Sequence, residues 1–180
     1  ADHINGIQEL LQNQKQGVEI DALVLPPEEY MDEKLLHLAE IAKENGTRVL
    51  TIYAGEKVGT YLKCIAPLTT RKNERIRGKE EEVPRLEAGN EASVVLELKD
   101  GAFQMLLTGD LEGRGEEQLV ESGALESCPI LKAGHHGSKN SGSEEFLQIV
   151  KPRLTLISAG IENRYGHPHE ETLERLQEIG

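Results

Sequence analysis

Apolar residues change their spacing repeatedly along this chain, and each change marks an element. Ile7, Leu10 and Leu11 fall on one helical face, with Gly17 as a stop. Ile20 to Leu25 is an unbroken β-rich run closed by Pro26-Pro27, and it predicts a strand. From Asp32 to Asn45 the period lengthens again. Leu35, Leu38, Ala39 and Ala42 make a stripe that Gly46 terminates, which predicts a helix. Strands are expected at Arg48 to Tyr53 and Tyr61 to Ile65. Ser93 to Leu98 and Phe103 to Leu107 predict a hairpin joined by Lys99-Asp100-Gly101-Ala102, since Asp-Gly between apolar runs favours a tight reversal. A short helix at Glu116 to Glu121 and a strand at Ile130 to Ala133 follow. Ser141-Gly142-Ser143-Glu144 has the spacing of a capping box and opens a helix that ends before Pro152. Leu154 to Ser158 predicts a strand, and Thr172 to Ile179 a closing helix with Leu173, Leu176 and Ile179 in helical phase. Strands and helices alternate at both ends around a central hairpin, so the expected class is mixed α/β (α+β) with layered sheets.

One stretch breaks the pattern. Between Thr69 and Glu91, Arg71, Lys72, Arg75, Arg77 and Lys79 precede Glu80-Glu81-Glu82, with little apolar surface to pack. This predicts a solvated, mobile excursion from a single domain spanning 1–180.

Charge and composition narrow the function. Twenty basic against 32 acidic residues leave a net charge of −12, which argues against a general polyanion binder. Aromatic residues are only 3% of the chain, so base stacking is not expected as the main mode of nucleic-acid binding. Neither excludes an enzyme that meets phosphate through a metal cation. Cys64 and Cys128 are too few for a disulfide scaffold and lack zinc-site spacing. No apolar run approaches the roughly 20 residues that span a bilayer.

Metal-type side chains instead fall just past expected strands, in glycine-containing loops. They are Asp2-His3, Asp110 in Leu-Leu-Thr-Gly-Asp, His135-His136 in Leu-Lys-Ala-Gly-His-His-Gly-Ser, and His167 and His169 in Asn-Arg-Tyr-Gly-His-Pro-His. Each has a plainer reading: a helix cap for Asp2, a turn for Asp110, a polar loop for the histidine pair, a proline-set turn for the last. His37, off the apolar stripe of its helix, is an ordinary surface histidine. The order Asp-His, strand-end Asp, strand-end His-His is what favours chemistry. A set of two carboxylates and two imidazoles suits Mn²⁺ as well as Zn²⁺.

That ordered set resembles the metallo-β-lactamase fold superfamily. More narrowly, the Leu-Leu-Thr-Gly-Asp, Leu-Lys-Ala-Gly-His-His-Gly-Ser and Asn-Arg-Tyr-Gly-His-Pro-His segments resemble the C-terminal domain of ComEC-type DNA-internalisation competence proteins. The likeness covers nearly the whole chain and is densest from Ser93 to Gly180. It implies a four-layer αββα sandwich, here expected to lack its first strands and to be a piece of a longer protein. It implies a metal-dependent phosphodiester hydrolase, a nuclease that degrades the DNA strand not taken up, with activity impaired in a chain without the earlier half of the metal motif. One or two divalent ions, Mn²⁺ or Zn²⁺, are expected on Asp2, His3, Asp110 and His136. Asp2, His135 and His167 are the expected catalytic groups, and Ser138, Lys139, Asn140 and Arg164 the expected phosphate contacts. The superfamily's middle histidine corresponds to the neighbourhood of Asn90. The partners implied are DNA, the membrane-channel portion of the same polypeptide and other competence proteins, at the extracytoplasmic face of the cell membrane. Two alternatives stand beside this: an esterase of small phosphodiesters, and a non-catalytic domain steadied by metal.

Overall fold

The computed structural model describes residues 2–14, 18–69 and 84–179. The side chains of Asp2 and His3, and most of the charged excursion (70–83), lie outside the described residues. The class is α+β, with helices and both parallel and antiparallel pairing. The chain forms two compact units, Ala1–Ile52 and Tyr53–Gly180.

In the first unit, helix α1 (Asp2–Gln12) is followed by β1 (Ala22–Leu25), α2 (Glu33–Glu44) and β2 (Arg48–Thr51). The two strands pair in parallel, Ala22 opposite Arg48 and Leu25 opposite Thr51. Leu11, Leu23, Leu25, Leu38, Ile41 and Ala42 form the core, with Ile4 and Leu35 packed against it. Helix α2 begins where expected, because the Asp32 carboxylate accepts from the Leu35 amide at 2.9 Å. Helix α1 departs from expectation. It starts at Asp2, and its buried line runs through Ile4 and Leu11, while Ile7 and Leu10 are exposed. Asp2 and His3 therefore belong to the first turn of a helix and not to a loop after a strand.

The second unit is a six-stranded sheet in sequence order: β3 (Lys57–Val58), β4 (Leu62–Ala66), β5 (Val95–Asp100), β6 (Phe103–Leu107), β7 (Ile130–Lys132) and β8 (Leu154–Leu156). The first three pairings are antiparallel and the last two parallel. The β5–β6 hairpin turns on Gly101-Ala102 alone, with Asp100 opposite Phe103. The strand thus continues through Lys99 and Asp100, which sequence polarity assigned to the loop. Helices α3 (Gly113–Glu121), α4 (Glu144–Val150) and α5 (Glu170–Ile179) bring Leu119, Phe146, Leu147, Val150 and Leu176 onto a core with Val95, Leu106 and Leu131. Ser143, not Ser141, caps α4, its hydroxyl accepting from the Phe146 amide. Glu116 of α3 reinforces that start, its carboxylate accepting from the Gly142 and Ser143 amides at 2.7 Å each.

Both described flanks of the charged excursion are anchored. Thr69 and Leu86 are buried, and Gln118 donates to the Pro84 carbonyl at 2.7 Å. A 3₁₀ turn (Asn90–Ala92) then lies against the first turn of α3, so closely that a Cβ on Gly115 would stand 1.8 Å from the Glu91 carbonyl oxygen.

Gly115→Ala is expected to lower stability by about 1–3 kcal/mol, because backbone must move to admit the methyl. Gly6→Ala, in α1 with nothing within 4 Å of the added atom, is expected to be neutral or stabilising by up to about 1 kcal/mol. Denaturant unfolding of both variants checks the contrast. Burial pushes the Cys64 thiol up to about 12. It should therefore resist alkylation at pH 8 in the native protein and react fully on unfolding, as read by mass spectrometry.

Candidate metal and phosphodiester site

Parallel pairing sets β6, β7 and β8 in step, with Leu107 opposite Lys132 and Lys132 opposite Leu156. The three strands end together at one sheet edge, and the segments after them carry the expected groups. Carboxyl ends of parallel strands are where open α/β sheets bind ligands.

Asp110 follows β6. Thr108 and Gly109 steer the chain to it: the buried Thr108 hydroxyl donates to the Lys132 carbonyl at 2.7 Å, and the Gly109 carbonyl accepts from His135 N at 3.2 Å. The Lys132 ammonium donates to the carbonyls of Gly109 and Ala133 at 3.2 and 2.9 Å, clamping the two strand ends. Burial holds that ammonium below the ordinary lysine value, while the Asp110 charge pulls it back.

His135 and His136 follow β7 with left-handed backbone, φ +40° and +57°. L-residues avoid this region, so the turn is held by its surroundings. Gly134 packs under the Leu111 carbonyl, and a Cβ on Gly137 would meet Pro168 at 2.7 Å. The two rings then point to different partners. His136 Nδ1 donates to the Ser158 carbonyl at 2.7 Å, which leaves Nε2 toward Asp110 Oδ1, 3.6 Å away. His135 Nδ1 lies 2.8 Å from Glu112 Oε2.

Glu112 is a residue that sequence reasoning missed. Its carboxylate accepts from Asn90 Nδ2 at 2.8 Å, from the Ser138 hydroxyl at 3.3 Å and from His135. Burial alone would raise this carboxyl, but the hydrogen bonds from Asn90, His135 and Ser138 outweigh it and hold it below the usual carboxylate value. An ionised Glu112 makes His135 Nδ1 the donor and fixes the free ring nitrogen as Nε2. The only signal in the sequence was position, two residues past Asp110, where an acidic residue before a helix reads as ordinary charge.

Asn90 thus turns to Glu112 and braces the histidine. Ser138 is buried and serves the same carboxylate. Lys139, Asn140 and Arg164 are exposed. His167 joins the histidine pair, its ring centroid 5.2 Å from His135 and 6.2 Å from His136. Burial first, then the neighbouring His135, His169 and His136, keep its imidazole below the ordinary value. His169 lies 4.8 Å from His167 and accepts the Lys139 amide at 3.1 Å. Four histidines therefore gather around the ends of β7 and β8, as the sequence order suggested. Asp2 and His3 lie in the other unit, and their side chains are outside the described residues. Among the described residues, no three His, Cys, Asp or Glu side chains are grouped to hold a metal ion.

The chain is 34% identical over 179 residues to ComE operon protein 3 of Bacillus subtilis, covering 98% of this chain and 21% of that protein. It is 40% identical over 89 residues to Recombination protein 2 of Haemophilus influenzae, across 49% of this chain and 11% of that protein. It is also 40% identical over 92 residues to Competence protein ComA of Neisseria gonorrhoeae, across 51% of this chain and 13% of that protein. The chain is thus similar to segments of longer proteins that carry competence and recombination names. It spans about a fifth of ComE operon protein 3 and less of the other two. No protein-family model matches it. Among its described residues, no helix is long and apolar enough to cross a membrane.

Glu112→Ala is expected to cost about 1–3 kcal/mol, because the half-buried Asn90 amide and the buried Ser138 hydroxyl lose their acceptor. It should also release His135 into a mixture of ring tautomers, visible in the ¹⁵N shifts of its side chain. Urea unfolding and histidine-selective NMR check the two effects separately.

Proposed function

We propose that this chain is the hydrolytic segment of a DNA-uptake protein of the cell membrane. It would have a metallo-β-lactamase-like fold and cleave phosphodiester bonds of the strand that is not transported. The names of its homologues support the uptake role and other competence proteins as partners; in this reading the membrane-channel portion of the same polypeptide is a further partner. The observation that carries the chemistry is the facing of His136 Nε2 and Asp110 Oδ1. With Nδ1 donating to Ser158, Nε2 is the ring nitrogen turned to Asp110 Oδ1, 3.6 Å away. Two donors each about 2.1 Å from one tetrahedral ion lie roughly 3.4 Å apart, so this pair fits a shared divalent cation. The backbone bond to Nδ1 is the orienting contact that metal-binding histidines use.

His136 and Asp110 would hold the ion. A bound Mn²⁺ or Zn²⁺ would supply Lewis acidity at a phosphoryl oxygen. His135, oriented by Glu112, would offer Nε2 for proton transfer near the reacting phosphate. His167 sits beside both histidines and would contact phosphate or the departing oxygen. Lys139, Asn140 and Arg164 are the exposed groups available to phosphate oxygens, whereas Ser138 would act through Glu112.

The test is hydrolysis of single- and double-stranded DNA by the full-length protein and by the 180-residue chain, with Mn²⁺ or Zn²⁺ added singly. Activity should require the ion and vanish with chelator. Asp110→Asn should lower it by at least 10²-fold, an effect of the size seen on losing an electrostatic stabiliser of the transition state. Undiminished cleavage in excess chelator, or by Asp110→Asn, would overturn the reading. Metal binding without turnover in the full-length protein would favour a metal-steadied, non-catalytic domain.

A further inference from the structure

Three rings lie in sequence beside the site. The Tyr165 ring stacks on His167 at 5.8 Å with 24° between planes, and His167 stacks on His136 at 6.2 Å and 20°. Arg164 adds its guanidinium carbon 4.7 Å from the Tyr165 centroid, and its terminal nitrogen also donates to the Tyr165 hydroxyl. The outer end of this series is open to solvent, with Tyr165 59% exposed. It is also fixed. Asn163 Oδ1 accepts from Tyr165 N and His167 N at 3.2 and 3.0 Å, while its amide nitrogen donates to the Gly160 and His167 carbonyls at 2.9 and 2.6 Å. Beyond the loop, His169 N donates to the Gly137 carbonyl, joining it to the histidine turn. An exposed tyrosine with a cation against its ring, on a loop whose backbone one side chain fixes with four hydrogen bonds, needs an explanation that core packing does not supply.

We propose that Tyr165 and Arg164 form a stacking platform for one unpaired nucleobase of the nucleic-acid strand in the site. Tyrosine faces and arginine planes are the surfaces on which single-stranded bases stack. The platform lies at the end of a ring series that leads to His136 and Asp110, so a base on it would bring a neighbouring phosphate toward those groups. The chain's net charge of −12 deprives it of the cationic footprint that supplies most nucleic-acid affinity. A stacking contact is far less sensitive to that charge. It also discriminates: a base within a duplex has both faces covered by its neighbours, so the platform selects single strands or frayed ends. The proposal rests on the reading of this site as one for DNA, and it names the form of DNA taken.

The test is equilibrium binding in chelator, where no turnover occurs, of a short labelled oligothymidylate to wild type, Tyr165→Phe, Tyr165→Ala and Asn163→Ala, each checked for an unchanged melting temperature. Tyr165→Phe should bind within about twofold of wild type. Tyr165→Ala should bind on the order of tenfold or more weakly, and Asn163→Ala should fall between. An abasic oligonucleotide of equal length should bind wild type and Tyr165→Ala alike, and so should a blunt duplex. Equal affinity of wild type and Tyr165→Ala for the oligothymidylate would overturn the platform, as would an equal loss with the abasic strand or no binding of single strands by wild type. The hydrolase reading is judged apart from this, by metal-dependent turnover and Asp110→Asn.

Discussion

The candidate site depends on the parallel register of β6, β7 and β8. Because Leu107, Lys132 and Leu156 stand in one row, the segments that follow them must leave the sheet at one edge. Asp110, His135-His136 and the Ser158 carbonyl therefore meet although nearly fifty residues separate the first from the last. The antiparallel strand β5 begins at the same edge, since Leu96 pairs with Leu107, and so the turn before it carries Asn90 into the group. Side chains then lock what the strands assemble. Lys132 ties the ends of β6 and β7, Ser158 orients His136, and Glu112 orients His135.

Glu112 shows how a carboxylate can organise a site without touching substrate. It gathers an amide from one segment, and a hydroxyl and an imidazole from another. A buried charge is tolerated only when its lone pairs are satisfied, and here the satisfaction of Glu112 and the placement of His135 are the same set of bonds. Asn90 could be read from the sequence as the residue near the position of a metal-binding histidine. In the folded protein its amide is 2.8 Å from Glu112 Oε1, so it supports a ring where a histidine would have offered one.

Much of this was legible in the sequence. The alternation of strands and helices gave the α+β class, and Asp32 and Gly46 bounded α2 closely. Asp110 and the histidine pair stood out because each follows an apolar run through a glycine. What stayed hidden depends on distance in space. Nothing local marks Glu112 as the partner of His135, 23 residues away. Ser141 looked like a helix cap until its hydroxyl proved to donate to the Gly134 and Ser138 carbonyls, leaving Ser143 to cap. Helix α1 was misphased because Leu10 is apolar yet exposed, while Ile4 lies on the packed side. A low aromatic count described the chain as a whole and said nothing of how Tyr165 would be placed.

The left-handed backbone at His135 and His136 sets stability against chemistry. Each costs roughly 1–2 kcal/mol relative to a relaxed conformation, and glycine would remove most of that cost. Glycine there would also lose the ring contacts to Glu112 and to the Ser158 carbonyl. A protein selected only for heat resistance would drift toward glycine there and lose both rings, keeping the sheet and its helices intact while the strand-end edge fell silent. The strain in this one turn is thus set against the bonds that its two rings make to Glu112 and Ser158.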